Sequence, residues 1–179
     1  MAPETAAGRA DGVAVAIVTN NNDPERLARV RIVTSSKNEA WARVAAPMAG
    51  TGRGVQFLPE VGDEVLIAFE GGDPRRPFVL GGLWSASAPP PERGESGASN
   101  RKTIRSRSGH VIRLDDTEGG ARIEIADAAG NSFVIDGTSN TMMITAQGDL
   151  SIESRNGNLR LRGVVVEIEG TRVQVEGQQ

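Results

Sequence analysis

The one histidine of the chain, His110, is followed five and six residues later by the adjacent carboxylates Asp115 and Asp116, with Glu118 just beyond. Imidazole and carboxylate within hydrogen-bond reach of a nucleophile would make acid–base machinery, and Asp115 with Glu118 across a cleft would suit glycoside hydrolysis. Strand register argues against the dyad. In an extended segment His110, Ile112 and Leu114 share one face, Val111, Arg113 and Asp115 share the other, and Asp116 begins a turn. No third group completes the set. His110 is therefore read as a strand histidine, which a trimer could also gather near its axis around an ion.

The remaining chemistry-bearing stretches read more simply as structure. Asp115-Asp116-Thr117-Glu118 offers oxygen ligands but lacks the twelve-residue calcium-loop spacing and its central glycine, so an acidic turn is expected. Gly50-Thr51-Gly52-Arg53-Gly54 lacks the lysine–serine ending of a phosphate loop. Arg101, Lys102, Arg105, Arg107 and Arg113 could meet phosphate, but acid follows at once and a solvated collar is the simpler fate. Trp41 and Trp84 could stack on a base or sugar; without flanking positive charge, core or intersubunit packing is preferred. No catalytic, cofactor-binding or metal-ligating residue is assigned, no cofactor is expected, and the chain is not expected to be an enzyme.

The elements that carry these residues belong to a chain of 179 residues, long enough for one ordinary domain or two small ones. Net charge is −3, with ten basic and twelve acidic residues through Asn100 and ten basic and eleven acidic after it. Neither half is the polycation that nucleic-acid binding needs. Without cysteine there is no disulfide framework and no thiolate chemistry. The first residues lack the apolar run of a signal peptide and no apolar stretch approaches bilayer length, so synthesis and assembly in the cytoplasm are expected.

Residues 1–11 are small and polar and read as a disordered lead. From residue 12, Val13, Val15 and Ile17 alternate with Ala14 and Ala16, Asn20 to Pro24 makes a turn, and Leu27 to Val33 resumes extended structure. Further strands are expected at Ala40 to Ala46, Gly54 to Leu58, Glu64 to Glu70 and Pro77 to Trp84, punctuated by Pro and Gly. Short strands without a helical stripe predict a small barrel over 12–84. Residues 85–100, SASAPPPERGESGASN, are a linker stiffened by proline.

Residues 101–179 carry alternating apolar clusters separated by Gly, Asn and Asp turns. From Ile135 to Val175 the last residues of successive clusters step by nine, eight, nine, seven and seven, a repeat of strand and turn. Each strand offers two or three apolar side chains, while Glu124, Glu153, Arg160, Arg162, Glu167, Glu169 and Arg172 occupy the other face. Alone, such a ribbon would leave one apolar side and unpaired edges. Three chains wound about one axis would bury the first and pair the second, and a homotrimer is expected.

Several separated motifs then resemble the phage baseplate protein V and VgrG spike family: Trp41-Ala-Arg-Val-Ala-Ala-Pro-Met-Ala-Gly50, Phe57-Leu-Pro-Glu-Val-Gly-Asp-Glu-Val65, Gly72-Asp-Pro-Arg-Arg-Pro-Phe-Val-Leu-Gly-Gly-Leu-Trp84, and the run from Arg101 to Thr117. The resemblance covers residues 12 to 175. It implies an all-β chain, an N-terminal OB-fold barrel followed by a trimeric intertwined β-helix or β-prism needle, serving as the central spike of a contractile tail or injection machine. Trp41, Pro59, Gly62, Asp63, Gly72, Asp73, Pro74, Pro77, Gly81, Gly82 and Trp84 would then hold the barrel and its turns. The short linker leaves no room for the lysozyme domain of some members. A separate hub protein at the inner tube and baseplate, a PAAR-like tip protein at the far end, and transient contact with a target membrane are expected, in a phage tail or tail-like particle. The competing expectation is an OB-fold carbohydrate- or nucleic-acid-binding module with a trimerising β-tail.

Overall fold

The computed structural model describes residues 12–92 and 99–175, and the chain divides into two units, Met1–Arg93 and Gly94–Gln179. The expected lead at 1–11, residues 93–98 of the expected linker and the last four residues of the needle block lie outside the described residues.

The first unit contains β1 (Val13–Asn20), β2 (Val30–Thr34), β3 (Glu39–Val44), the short pair β4 (Ala49–Gly50) and β5 (Arg53–Gly54), then β6 (Glu64–Phe69) and β7 (Pro77–Gly82). A closed barrel runs in the order β1-β2-β3-β7-β6 and returns to β1. Neighbours are antiparallel except β3 and β7, which close the barrel in parallel through Arg43 opposite Phe78 and Val44 opposite Val79. This is the five-stranded arrangement of an OB barrel. Alternate residues point inward: Val18, Val30, Ile32, Val65, Ile67 and Val79 are almost wholly buried, with Ala16 and Ala42 filling the narrow places.

Two expected strands are corrected. The second starts at Val30, not Leu27, because Arg26 and Ala28 hold φ near 57° and 58°, which no strand permits. The strand expected at Gly54 to Leu58 ends at Gly54. A closed barrel offers Val55 to Leu58 no free edge, and Leu58 packs against the core instead. At Gly54 the backbone passes so near the Met48 carbonyl that a Cβ would lie 2.6 Å from its oxygen, which explains glycine there.

The second unit is an antiparallel meander of β8 (Arg101–Arg105), β9 (Val111–Asp115), β10 (Arg122–Ala126), β11 (Ser132–Asp136) and β12 (Thr141–Thr145), each paired with the next. Beyond Thr145 the expected strands around Leu150, Leu159, Val164 and Val173 do not form: among the described residues 146–175 contain no strand and their side chains are almost all exposed. Strand structure needs a partner edge, and one copy of the chain supplies none to this segment.

Candidate functional site

The structure separates His110 from the carboxylates. His110 sits in the β8–β9 turn, where its backbone N–H donates to Ser106 Oγ at 3.1 Å and its carbonyl accepts from the Ser106 N–H at 2.9 Å. It lies before the strand and not in it, a small correction to the register argument. Asp115 closes the far end of β9, roughly 17 Å along an extended chain. There it is buried, accepts the Thr117 hydroxyl and N–H, and pairs with Arg101 Nε at 2.9 Å. The Thr117 hydroxyl and then Arg101 hold its carboxyl down to about 2. A carboxylate so committed is a poor proton carrier at neutral pH. Asp116 instead pairs with Lys102 Nζ at 2.9 Å.

Three cations of the basic run, Arg101, Lys102 and Arg113, are paired with carboxylates. Besides Arg101 and Lys102, Arg113 Nη1 meets Glu124 Oε2 at 2.8 Å across β9 and β10, both partly buried. Among the described residues, no three His, Asp or Glu side chains cluster as metal ligands.

What the carboxylates do is fix corners. Asp127 accepts the backbone N–H groups of Ala129 and Asn131, each at 2.9 Å, and Asp136 accepts those of Thr138 at 2.9 Å and Ser139 at 2.8 Å. These bonds favour the ionised form, and both carboxyls lie below their ordinary range, Asp127 chiefly through the Asn131 side chain and Asp136 chiefly through the Ser139 N–H. Gln147 then ties neighbouring turns, donating from its N–H to Asn131 Oδ1 at 2.7 Å and from Nε2 to the Gly130 carbonyl at 3.2 Å. The meander is stitched at its turns.

Register makes the two faces of that meander unlike. Directly opposed residues lie on the same face, so Ile104, Ile112, Ile125, Phe133 and Ile144 form one continuous row across all five strands. Lys102, Leu114, Ile123, Ile135 and Met142 form a second row beside it. On the reverse, Arg101, Asp115, Arg122, Asp136 and Thr141 line up with alternating charge. Nine of the ten side chains on the first face are apolar, yet Ile112, Leu114, Ile123 and Ile125 remain 42–48% exposed. The rows are about 19 Å long at ordinary strand spacing. The apolar face that the sequence expected to be buried is open in one copy.

The barrel presents concavities without acid–base chemistry. The larger, about 640 Å³, lies under the β3–β6 connection and is lined mostly by Ala, Gly and apolar residues, with Arg53 its one titratable side chain. The smaller, about 220 Å³ and bordered by Ala14, Ser36, Asn38 and Phe69, has none in its lining. Trp41 is partly covered, with the Arg29 guanidinium 5.7 Å from its ring centre, whereas Trp84 is 71% exposed.

Sequence reasoning missed the outer wall of the barrel. In β1, Ala16 and Val18 point into the core, and Val13, Val15 and Ile17 point out and stay exposed. The signal was present: a strand apolar at both parities is a strand expected to be covered on both faces.

Residues 14–84 match the family described as the Type VI secretion system/phage-baseplate injector OB domain. The chain is similar to the Type VI secretion system spike proteins VgrG4b and VgrG1a of Pseudomonas aeruginosa, 35% identical over 92 residues and 29% over 99 residues. Those matches cover 49% and 51% of this chain but only 11% and 15% of the relatives. It is also similar, 33% over 57 residues, to the actin cross-linking toxin VgrG1 of Vibrio cholerae, across 32% of this chain and 5% of that protein.

Proposed function

We propose, from the match of residues 14–84 to the Type VI secretion system/phage-baseplate injector OB domain and the similarity to VgrG spike proteins, that the chain is the central spike of a contractile tail or injection machine, a homotrimer whose barrels cap the inner tube and hub and whose second unit forms the piercing needle. The observation that carries this reading is the open apolar face of β8–β12 together with the alternating segment 146–175, which forms no strand in one copy. Both need partners, and both are satisfied when copies of the same chain wind together. A ladder of interstrand hydrogen bonds around a shared apolar core must rupture cooperatively before the rod bends. Rigidity of that kind is what thrust through an envelope demands. The role is mechanical: charged side chains near the turns hold geometry, and no proton or group is transferred.

The reading implies a hub protein at the barrel end, a PAAR-like tip protein at the needle end, and transient contact with the target membrane. Absolute mass by light scattering on a sizing column tests it. The full chain is expected to run as a trimer, and a chain ending at Ser99 as a monomer that keeps the folded barrel. A stable full-length monomer would overturn the proposal.

A further inference from the structure

Asn156 is the only asparagine of the chain that is followed by glycine. An asparagine side chain carries an electrophile, the amide carbon Cγ, and the backbone nitrogen of the next residue can reach it to close a five-membered ring. A side chain on that next residue obstructs the approach, and glycine has none. Asn156 and Gly157 therefore hold covalent chemistry that needs no enzyme. The fold decides whether the ring closes, because both groups must be unengaged and the backbone must be able to turn.

The structure leaves the pair open. Both residues are exposed, at a bend in the segment 146–175, where no strand forms among the described residues. Asn-Gly ordinarily makes a type I′ hairpin turn, which requires positive φ at both positions, and neither residue adopts it. Among the described residues, neither the Asn156 amide nor the Gly157 N–H has a hydrogen-bond partner. Two other sites show the contrast. The Asn131 side chain donates to Asp127 Oδ2 at 2.6 Å and accepts the Gln147 N–H at 2.7 Å, and the residue after it is Ser132, held in β11. Asp136 precedes Gly137, but its carboxylate accepts the Thr138 and Ser139 N–H groups, and the Gly137 N–H, which would be the nucleophile, donates to the Ala121 carbonyl at 2.8 Å.

We propose that Asn156 is a site of spontaneous deamidation and isoaspartate formation, with water the only co-reactant. The Gly157 nitrogen gives up its proton and attacks Asn156 Cγ; the new N–Cγ bond forms as the Cγ–Nδ2 bond breaks, and the amide group leaves with a proton as ammonia. Water then opens the cyclic imide at one of its two carbonyls. Opening at the side-chain carbonyl leaves aspartate, and opening at the backbone carbonyl leaves isoaspartate, whose peptide link runs through the side chain. Either product adds a negative charge, and isoaspartate also adds one backbone atom between the Ile152 and Leu159 clusters. Because strand side chains change faces with period two, that atom disturbs the register of the residues after it relative to those before. The chemistry depends on this segment of one chain and not on the spike reading above.

The test incubates the full chain at mildly alkaline pH and then digests it with trypsin. Cleavage after Arg155 and Arg160 yields one peptide, Asn156-Gly-Asn-Leu-Arg160, that holds the reactive asparagine and, in Asn158, its own control. Mass spectrometry against a zero-time digest follows the loss of each amide, and labelling with an isoaspartyl methyltransferase identifies the rearranged link. Asn156 should convert at least about tenfold faster than Asn158 or Asn131, a barrier lower by about 1.4 kcal/mol, and isoaspartate should be found at that position. Gly157→Ala should slow the conversion about tenfold by restoring the obstruction; a Cβ there would meet only Ser154 Oγ, at an ordinary 3.5 Å, so the local structure accepts it. Conversion of Asn156 no faster than of Asn158, or conversion without isoaspartate, would overturn the proposal and leave the spike reading standing. The comparison with Asn158 needs no variant, so it decides the outcome even if Gly157→Ala disturbs folding.

Discussion

Asp23 and Arg29 form a two-point ion pair inside the β1–β2 loop, Arg29 Nη2 to Asp23 Oδ1 at 2.8 Å and Nε to Oδ2 at 3.1 Å. The same buried carboxylate accepts the N–H groups of Glu25, Leu27 and Arg29. Five donors on one carboxylate explain how the loop sustains left-handed backbone at Arg26 and Ala28, and the Arg29 pairing holds the Asp23 carboxyl well below its usual range. Arg29 in turn covers the face of Trp41. Replacing Asp23 with Asn removes the charge and half the acceptor capacity. The thermal midpoint of the barrel should fall by several degrees. Arg29→Lys should also lower it, since an ammonium cannot reproduce the fork. Tryptophan emission is the readout, because both tryptophans lie in the first unit; an unchanged midpoint in both variants would contradict this account.

Acid should act on the second unit through its corners. The Asp115 carboxyl sits at about 2 in the folded chain against an ordinary 3.8, so its ionised form stabilises the fold. That contribution is complete above the ordinary value and is lost as pH falls from about 4 towards about 2. Asp127 and Asp136 shift the same way. Far-ultraviolet circular dichroism during thermal melts should show stability flat from neutral pH to about 5 and falling below about 4. In Asp115→Asn the fall should be shallower and stability at neutral pH lower.

The barrel core leaves little room for loss. Ile67 is wholly buried among Val18, Val30, Ile32 and Val65. Truncation to alanine deletes buried methyl groups and opens a cavity, a change that costs about 2–5 kcal/mol in other cores. Urea unfolding followed by tryptophan emission should register that loss, while Leu27→Ala, at a 64% exposed position, should change stability by less than about 0.5 kcal/mol.

The open sheet face should discriminate between folding and assembly. Ile125 lies in the middle of the apolar rows, opposite Ile112 and Phe133, and is 48% exposed in one copy. Ile125→Asp should be tolerated by the separate barrel and should abolish the trimer, because a carboxylate cannot enter a shared apolar core without a partner. Light scattering should report the loss of mass, with the tryptophan transition of the barrel unmoved. A trimer that survives this substitution would mean that the face is not the assembly core.

Local pattern determined the strands of this protein. Alternation at Val13 to Val18 and Glu64 to Phe69, with Gly, Asn and Asp between, made a barrel and a repeat of strand and turn readable without coordinates, because side chains in a strand change faces with period two; that strands β8 to β12 form an antiparallel meander came from the structure. The motifs from Trp41 to Trp84 also pointed to the family. The closing pair of β3 with β7 was settled by tertiary structure, because it depends on which strand becomes a neighbour, and the left-handed loop at Arg26 and Ala28 by the buried Asp23 carboxylate that gathers its donors. The segment 146–175 marks the limit of both. Its alternation is legible and its strands are absent from the single copy, because a β-strand exists only where a second edge meets it.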